Sequence, residues 1–140
     1  MQLSEELSRL FTVLGRVTAD HDRNAVLARP DYLVLGRLCR VDSLRPGDLA
    51  QQEGLDQSTL SRRIAGLAER GLVRRQPDPA DRRAHLLEVT DEGRAAHDAE
   101  QARRVRLVTD AVAHWSSPER DELVRLLHEL NNSLQRRIVP

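Results

Sequence analysis

Apolar residues recur at intervals of three and four near the start of the chain, which is the spacing of one face of an α-helix. This stripe comprises Leu3, Leu7, Leu10, Phe11, Leu14 and Val17. We expect the helix to continue through more polar residues towards Arg29. Pro30 suits the first turn of a second helix, whose apolar run reaches Val41 and which we expect to be the central strut of the fold.

The last third of the chain predicts two more helices. Thr90 can cap the first, which covers residues 91–115 and carries alanines and valines that allow close packing. Ser116 and Glu119 fit a capping box that opens the last helix. Its apolar stripe comprises Leu123, Leu126, Leu127, Leu130, Leu134 and Ile138. One-sided stripes at both ends of the chain need a covering surface, so we expect a homodimer; packing within one chain is the alternative.

The middle of the chain predicts two short helices joined by a tight turn. Pro46 opens the first, and Gly54 ends it. Asp56 can cap the second by accepting the free amide hydrogen of Ser58 or Thr59. This is the helix-turn-helix pattern, in which the second helix lies in the DNA major groove.

A basic hairpin follows these two helices. Leu72 and Val73 lead into Arg74 and Arg75, Pro77 and Pro79 break the chain, and a second strand returns through Leu86, Leu87 and Val89. Residues 57–83 contain seven arginines against three acidic residues, a balance of +4, although the whole chain has a net charge of zero. Because the positive charge is concentrated in the predicted helix and hairpin, nucleic acid is the indicated partner.

Composition limits the class of protein. The chain has 140 residues, enough for one domain of ordinary size, and only one each of Phe, Tyr and Trp, so Leu, Val and Ala must build a mainly α-helical core. No apolar run is long enough to span a membrane, and no leader sequence follows Met1, so we expect a cytoplasmic protein. No nucleophile and base form a recognisable motif and no glycine loop could bind phosphate, so an enzyme is not expected.

Two residue types leave alternatives open. Cys39 follows Leu38 in an apolar helix, which favours an inert thiol, but nearby arginines keep a redox-responsive thiol as an alternative. The five histidines are scattered, and His21 beside Asp20 or Asp22 could reach a metal only with ligands from other helices. We therefore expect no metal and no cofactor.

The residues of the hairpin and the helix before it resemble a known family. DPADRRAHLLEVTDEG is similar to the wing signature of the MarR (multiple antibiotic resistance regulator) family, with Asp81, Arg83, Thr90 and Gly93 at its signature positions. QSTLSRRIAGLAERGLVRR resembles the family's recognition helix and first wing strand. The resemblance covers nearly the whole chain. It implies a single domain, 1–140, with a winged helix-turn-helix at 30–90 and dimerisation helices at 1–29 and 91–140.

The resemblance also implies which residues contact DNA. Arg83 would enter the minor groove from the wing tip, and Asp81 would hold that loop by pairing with a nearby arginine. The full set of expected DNA-binding residues is Gln57, Ser58, Thr59, Ser61, Arg62, Arg63, Arg75, Asp81, Arg82 and Arg83. Arg63 stands where the family usually has an apolar residue, Val89 replaces a leucine, and His85 lies outside the family signature.

The function implied by the resemblance is a sequence-specific regulator of transcription that binds double-stranded DNA at a pseudo-palindromic operator. A repressor released by a small aromatic or phenolic effector is expected. The effector would bind between the dimerisation helices and the winged domain, where Tyr32 or Trp115 could border the site. The alternatives are a redox-responsive regulator that uses Cys39 and a winged-helix protein-interaction module that does not bind DNA.

Overall fold

The structure is a computed structural model that describes residues 2–138, without the side chain of Ile138. The predicted apolar position at Ile138 and the predicted absence of a leader after Met1 therefore involve residues outside that description. The elements are α1 Gln2–Asn24, α2 Arg29–Leu38, α3 Pro46–Glu53, α4 Gln57–Glu69, β1 Val73–Asp78, β2 Asp81–Val89, α5 Asp91–Thr109 and α6 Ser117–Ile138. The predicted fold class, mainly α-helical with one β-hairpin, is confirmed. The chain divides into two compact units, 1–104 and 105–140.

The core of the first unit lies beneath the helix-turn-helix. The core-facing side of α4 is formed by Leu60, Ile64 and Leu67, which are each at most 2% exposed. They pack in one cluster with the apolar side chains of α2, α3 and the hairpin. The remaining members of this buried cluster are Leu27, Val34, Leu35, Leu38, Leu49, Ala50, Leu72, Val73 and Leu87. Burial of these side chains fixes α4 on the other elements of the unit.

The end of α2 differs from the prediction. The helix stops at Leu38 rather than reaching Val41. Arg94 Nη1 donates to the Cys39 carbonyl oxygen at 3.0 Å, which satisfies an acceptor that the helix end leaves free. Beyond this turn, Leu44 exchanges two backbone hydrogen bonds with Leu87, at 3.0 and 2.8 Å. Leu44 therefore adds one bridge residue beside β2, on the edge of the hairpin opposite β1.

The hairpin is antiparallel, with Arg75 opposite Leu87 and Pro77 opposite His85. Its register shifts between Pro77 and Asp78, so the strand bends just before the turn. Pro77 and Asp78 belong to β1, whereas the sequence predicts that the prolines break the strand. Pro77 is tolerated because this hairpin has a free edge, where a missing amide donor costs no ladder hydrogen bond.

Helix α5 packs only part of its alanine stripe, because Ala96 contacts the buried core and other alanines do not. Ala95 and Ala99 are exposed, whereas Gly93 and Glu100 are buried. Thr90 caps the helix as predicted, because its Oγ1 accepts the Gly93 amide hydrogen at 3.0 Å. A Cβ on Gly93 would lie 2.0 Å from the Leu72 carbonyl oxygen, so only glycine fits where α5 meets the hairpin.

The second unit contains the end of α5 and all of α6. Helix α5 ends at Thr109 and a 3-10 turn at Asp110–Val112 follows, short of the predicted limit near Trp115. The Ser116 amide and hydroxyl both donate to Glu119 Oε2, at 2.8 and 2.7 Å, as one half of the predicted capping box. These two donors hold the pKa of Glu119 below its ordinary value. Within residues 2–138, no helix combines the length and apolar character needed to cross a membrane.

Candidate nucleic-acid interface

The start of α4 is fixed by Asp56 and two hydroxyl side chains. Asp56 Oδ1 accepts the Ser58 hydroxyl at 2.6 Å and the Thr59 amide at 2.8 Å, and Oδ2 accepts the Thr59 hydroxyl at 2.8 Å. The Ser58 hydroxyl, followed by the Thr59 amide, lowers the pKa of Asp56. Asp56 is therefore the predicted N-cap, with Thr59 as its backbone partner. Ser58 and Thr59, both predicted to contact DNA, therefore donate their hydroxyl protons to Asp56.

The exposed face of α4 is narrower than the sequence predicts. Gln57, Ser61 and Arg62 are exposed. The side chain of Arg63 is instead only 31% exposed, and its Nη1 lies 3.4 Å from Asp31 Oδ1 on α2. Its Nε is buried. Arg63, predicted as a DNA contact, is in this structure packed against the neighbouring helix, which explains how a charged residue occupies a position where an apolar one was expected.

Hydrogen bonds and ion pairs separate the other basic residues of the helix and hairpin into two groups. Arg70 donates to the Val26 carbonyl oxygen at 2.8 Å, and Arg74 forms an ion pair with Glu88 at 2.9 Å. Both guanidinium groups therefore hold the fold together. Among the described residues, no side-chain hydrogen bond or ion pair is made by Arg62, Arg75, Arg82 and Arg83. Four of the arginines in this segment are thus available to an external anion.

The hairpin turn is held by Asp78 rather than by the predicted Asp81. Asp78 is 6% exposed, accepts the Ala80 amide at 2.9 Å, and lies 2.6 Å from Arg45 Nη2. The Ala80 amide, followed by the Arg45 guanidinium, lowers the pKa of Asp78. The carboxylate of Asp81 accepts the Arg83 backbone amide at 2.9 Å, so the expected pairing of Asp81 with an arginine side chain is wrong. Asp81 shapes the backbone from which the Arg83 side chain projects.

A cleft of about 240 Å³ lies between α3, α4 and the hairpin. Its walls include two predicted DNA-binding residues of α4, Gln57 and Ser61, together with Arg75 of β1. His85 of β2 also lines it, although no sequence motif indicated a role for this residue. Strand alternation could have found it, because His85 lies two residues before the buried Leu87 and shares its face of the hairpin.

A second polar cluster in the first unit lies between α1, α2 and α5. Glu100 is 2% exposed, with His21 Nε2 at 2.7 Å and Arg104 Nε at 2.9 Å from its Oε1. Arg104 also lies 2.6 Å from Asp22 Oδ1, and its guanidinium carbon is 4.7 Å from the Tyr32 ring centre. This network joins α1 to α5 and was not predicted, because helical patterning treats Glu100 as a solvent-facing residue.

The histidines in this region have protein partners. His21 contacts Glu100 beside a guanidinium, and His97 stacks on Tyr32 with ring centres 4.9 Å apart. In the described part of the chain, no three His, Cys, Asp or Glu side chains are grouped so that they could bind a metal ion. Burial raises the pKa of the Cys39 thiol, although Arg94 opposes this shift. A raised pKa disfavours the thiolate that a redox-responsive cysteine requires.

Comparison with known proteins agrees with this geometry. The model of the MarR family matches residues 27–84. The uncharacterised HTH-type transcriptional regulator YxaD of Bacillus subtilis is 33% identical over 111 residues, which cover 79% of this chain and 78% of that protein. The HTH-type transcriptional repressor YetL of Bacillus subtilis is 28% identical over 87 residues, 62% of this chain and 52% of YetL.

The fold is also shared with solved structures. A MarR family protein from Bacillus stearothermophilus superposes with a TM-score of 0.80 at 19% identity, covering 96% of this chain and 94% of that one. At this identity the likeness establishes the fold, and the family assignment comes from the sequence matches. Together, the family model, the YxaD relationship and the winged helix-turn-helix geometry show that the chain belongs to the MarR family of DNA-binding transcriptional regulators.

Proposed function

We propose that this protein is a dimeric repressor that binds a pseudo-palindromic operator, with α4 in the major groove and the hairpin wing in the adjacent minor groove. The observation that carries the proposal is the set of arginines without an intramolecular partner among the described residues. Arg62 projects from α4, and Arg75, Arg82 and Arg83 project from the hairpin. Guanidinium groups free of protein carboxylates can bind phosphates and base edges without first breaking an ion pair.

The proposed roles of the predicted site residues follow their contacts. Gln57, Ser61 and Arg62 read base edges or phosphates, and Arg83 enters the minor groove. Ser58 and Thr59 offer only hydroxyl lone pairs to DNA, since their protons are donated to Asp56. Arg75 and Arg82 bind the DNA backbone. Asp81 and Arg63 support the interface indirectly: Asp81 accepts the Arg83 backbone amide, and Arg63 pairs with Asp31.

Dimerisation is supported by apolar side chains that each unit leaves exposed. In the first unit, Leu3 and Phe11 of α1 are both 73% exposed. In the second unit, Val124 of α6 is 66% exposed and Leu127 is 44% exposed. Apolar surface of this extent is typical of a face that associates with another chain. We propose that residues 1–29 and 91–140 form the dimer interface, with 30–90 as the DNA-binding module of a single domain.

Sedimentation equilibrium tests the dimer. Wild-type protein should sediment as a dimer, whereas Phe11→Asp and Leu127→Asp should each shift it towards monomer, because an unpaired charge would be buried in the interface. Asp42→Asn serves as a control, because it changes an exposed polar position outside the proposed interface. A wild-type protein that remains monomeric at every concentration contradicts the dimer.

The repressor role has support from YetL, which is named a transcriptional repressor. Release by an effector is supported by a cleft of about 110 Å³ beside α2. Tyr32 and His97 supply an aromatic wall, and Arg40 supplies positive charge, whereas Arg37 is paired with Glu53 at 2.9 Å. This cleft is smaller than the roughly 300–1,000 Å³ of common ligand pockets. Its size therefore suits only a single small ring, and its charge suits an acidic group on that ring. We propose a small aromatic acid or phenol as the effector; Trp115 lies in the second unit and has no assigned part.

An effector acts only if it binds the DNA-free conformation better than the DNA-bound one. Benzoate and phenol are suitable probes, titrated into the protein–operator complex while fluorescence anisotropy of the labelled duplex is followed. Arg40→Ala should raise the concentration of benzoate needed for release, and Arg120→Ala on α6 should not. If neither compound changes anisotropy at any concentration tested, release by this chemical class is contradicted.

The DNA-binding proposal is tested with the wild-type chain and one wing variant. A duplex recovered by selecting bound fragments from a random-sequence library provides the operator, and anisotropy provides its affinity. Arg83→Ala should weaken operator binding and reduce the salt dependence, because a guanidinium near phosphates releases counterions. Arg120→Ala removes an equal charge elsewhere and should change affinity little. A wild-type protein that selects no duplex would favour the protein-interaction alternative.

A further inference from the structure

The cleft between α4 and the hairpin has one chemical character. Gln57, Ser61, Arg75 and His85 all present groups that can donate a hydrogen bond. Within residues 2–138, none of these four side chains makes a hydrogen bond or ion pair with another part of the protein. The residues that line the cleft include no carboxylate among those the structure describes. Four unpartnered donors facing one cavity call for an acceptor, and the Arg75 guanidinium favours an anionic one.

The size and floor of the cleft restrict that anion. The cleft has a volume of about 240 Å³. Leu60 and Ile64, which are each 2% exposed, form its closed floor. A group of this kind must therefore be small and must enter from the outer side, between the helix and the strands. A phosphodiester group of DNA meets both conditions. Its two free oxygens can accept hydrogen bonds from different walls of the cleft, while the DNA strand continues outside it.

Strand alternation explains why Arg75 and His85 share the cleft. Arg75 lies two residues after the buried Val73, and His85 lies two residues before the buried Leu87. Both side chains therefore extend the core-facing side of the hairpin beyond the core. Arg74, which precedes Arg75 on β1, faces the other side and is paired with Glu88 at 2.9 Å.

We propose that one DNA backbone phosphate per subunit occupies this cleft, bound by Arg75 and His85 from the hairpin, beside Gln57 and Ser61 on α4. The inference rests on the proposed function and adds His85 to it. A phosphate held between the recognition helix and the wing fixes the depth and register of both on the duplex, because phosphate contacts position a protein without reading sequence. His85 is in this sense a positioning residue for the base contacts of α4.

The experiment removes the two opposite charges of the proposed contact separately, the negative charge of the phosphate from the DNA and the positive charge of Arg75 from the protein. Duplexes carry a single methylphosphonate, which is neutral, at each successive position of the selected operator. For wild-type protein, methylphosphonates should weaken binding at each contacted phosphate, and at the cleft position the loss should be about tenfold, as expected for loss of a charge-assisted hydrogen bond. In Arg75→Gln and His85→Ala, the same methylphosphonate should cause a smaller further loss, because the interaction is already absent.

Arg74→Gln is the matched control, because it removes an arginine from the neighbouring position on the opposite face. It should retain the full methylphosphonate effect. The salt slope of binding should decrease by about 0.9 in Arg75→Gln, because that variant no longer neutralises one phosphate. All variants are checked for wild-type thermal unfolding before comparison.

The outcomes separate this inference from the proposed function. If Arg83→Ala weakens binding but every methylphosphonate acts equally on wild type, Arg75→Gln and His85→Ala, the phosphate cleft is wrong and the DNA-binding function stands. If no duplex is bound by wild type, the function itself is wrong. If inorganic phosphate shifts the His85 ring signals in NMR spectra while no methylphosphonate effect depends on Arg75, the cleft binds a free anion and the inference is overturned.

Discussion

Arg45 Nε donates to Asp78 Oδ2 at 2.8 Å, and this hydrogen bond ties the residue that precedes α3 to the turn of the hairpin. The pair spans 33 positions in sequence and lies beside the wing that carries Arg83. Asp78 is nearly fully buried, so loss of its charge leaves the Arg45 guanidinium without its ionic partner and weakens the hydrogen bond from the Ala80 amide. The wing therefore depends on an aspartate that is not one of the four signature positions named above.

Asp78→Asn is expected to lower the thermal unfolding temperature at neutral pH and to weaken operator binding. The pKa of Asp78 is lowered in the folded protein. Its stabilising contribution is therefore present above the unfolded value of about 3.9 and is lost as pH falls through the lower folded pKa. The difference between wild type and Asp78→Asn should shrink below about pH 4. Asp42→Asn, at an exposed position, is the control, and a pH-independent difference contradicts the ionic role.

Arg62 and Arg63 are adjacent arginines that should behave differently. Arg62→Ala should weaken cognate binding by about 1–3 kcal/mol and random-sequence binding less, if Arg62 reads a base. Arg63→Ala should leave the cognate-to-random ratio unchanged and lower thermal stability, because Asp31 loses its partner. Anisotropy on both duplexes, with thermal unfolding, checks the pair. A cognate-specific loss in Arg63→Ala contradicts its assignment to the protein interior.

Gly93→Ala should destabilise the protein by about 1–3 kcal/mol or more, since the added methyl group meets backbone that cannot move aside. The obstructing atom is the Leu72 carbonyl oxygen. Gly66→Ala in α4 is a matched substitution, because nothing lies within 4 Å of the added Cβ. It should stabilise the protein by about 0.4–1 kcal/mol through loss of unfolded-state freedom. Urea unfolding measures both, and equal effects would refute the steric account of Gly93.

Glu100→Ala should cost about 1.5–3 kcal/mol, because the largely buried Arg104 guanidinium loses one of its two carboxylate partners and keeps only Asp22. The side chain of Arg104 is only 14% exposed. The double variant with Arg104→Ala should lose less than the sum of the two single losses. Glu122→Ala, which removes an exposed ion pair with Arg125, should change stability little. Additive losses from Glu100 and Arg104, measured by urea unfolding, would show that the two residues do not act together.

Local sequence was sufficient for the elements that build the interface. Pro46 starts α3, Gly54 ends it with a φ of 62°, and Asp56 caps α4, all as the residue types predicted. These features depend on neighbours within four positions, so the chain specifies them without long-range information. The family signature added the wing and its Arg83, again as a short contiguous pattern.

The tertiary structure decided which charges are free. Nothing within four positions of Arg63 indicates that Asp31 takes its guanidinium, nor that Asp78 rather than Asp81 binds an arginine. The Glu100 network likewise joins residues 79 positions apart, His21 and Glu100. Sequence patterning classifies a charged residue as exposed, because the free energy of burying it depends on a partner that only the folded chain brings close. Sequence therefore determined where the basic surface is, and tertiary packing determined which of its arginines remain available.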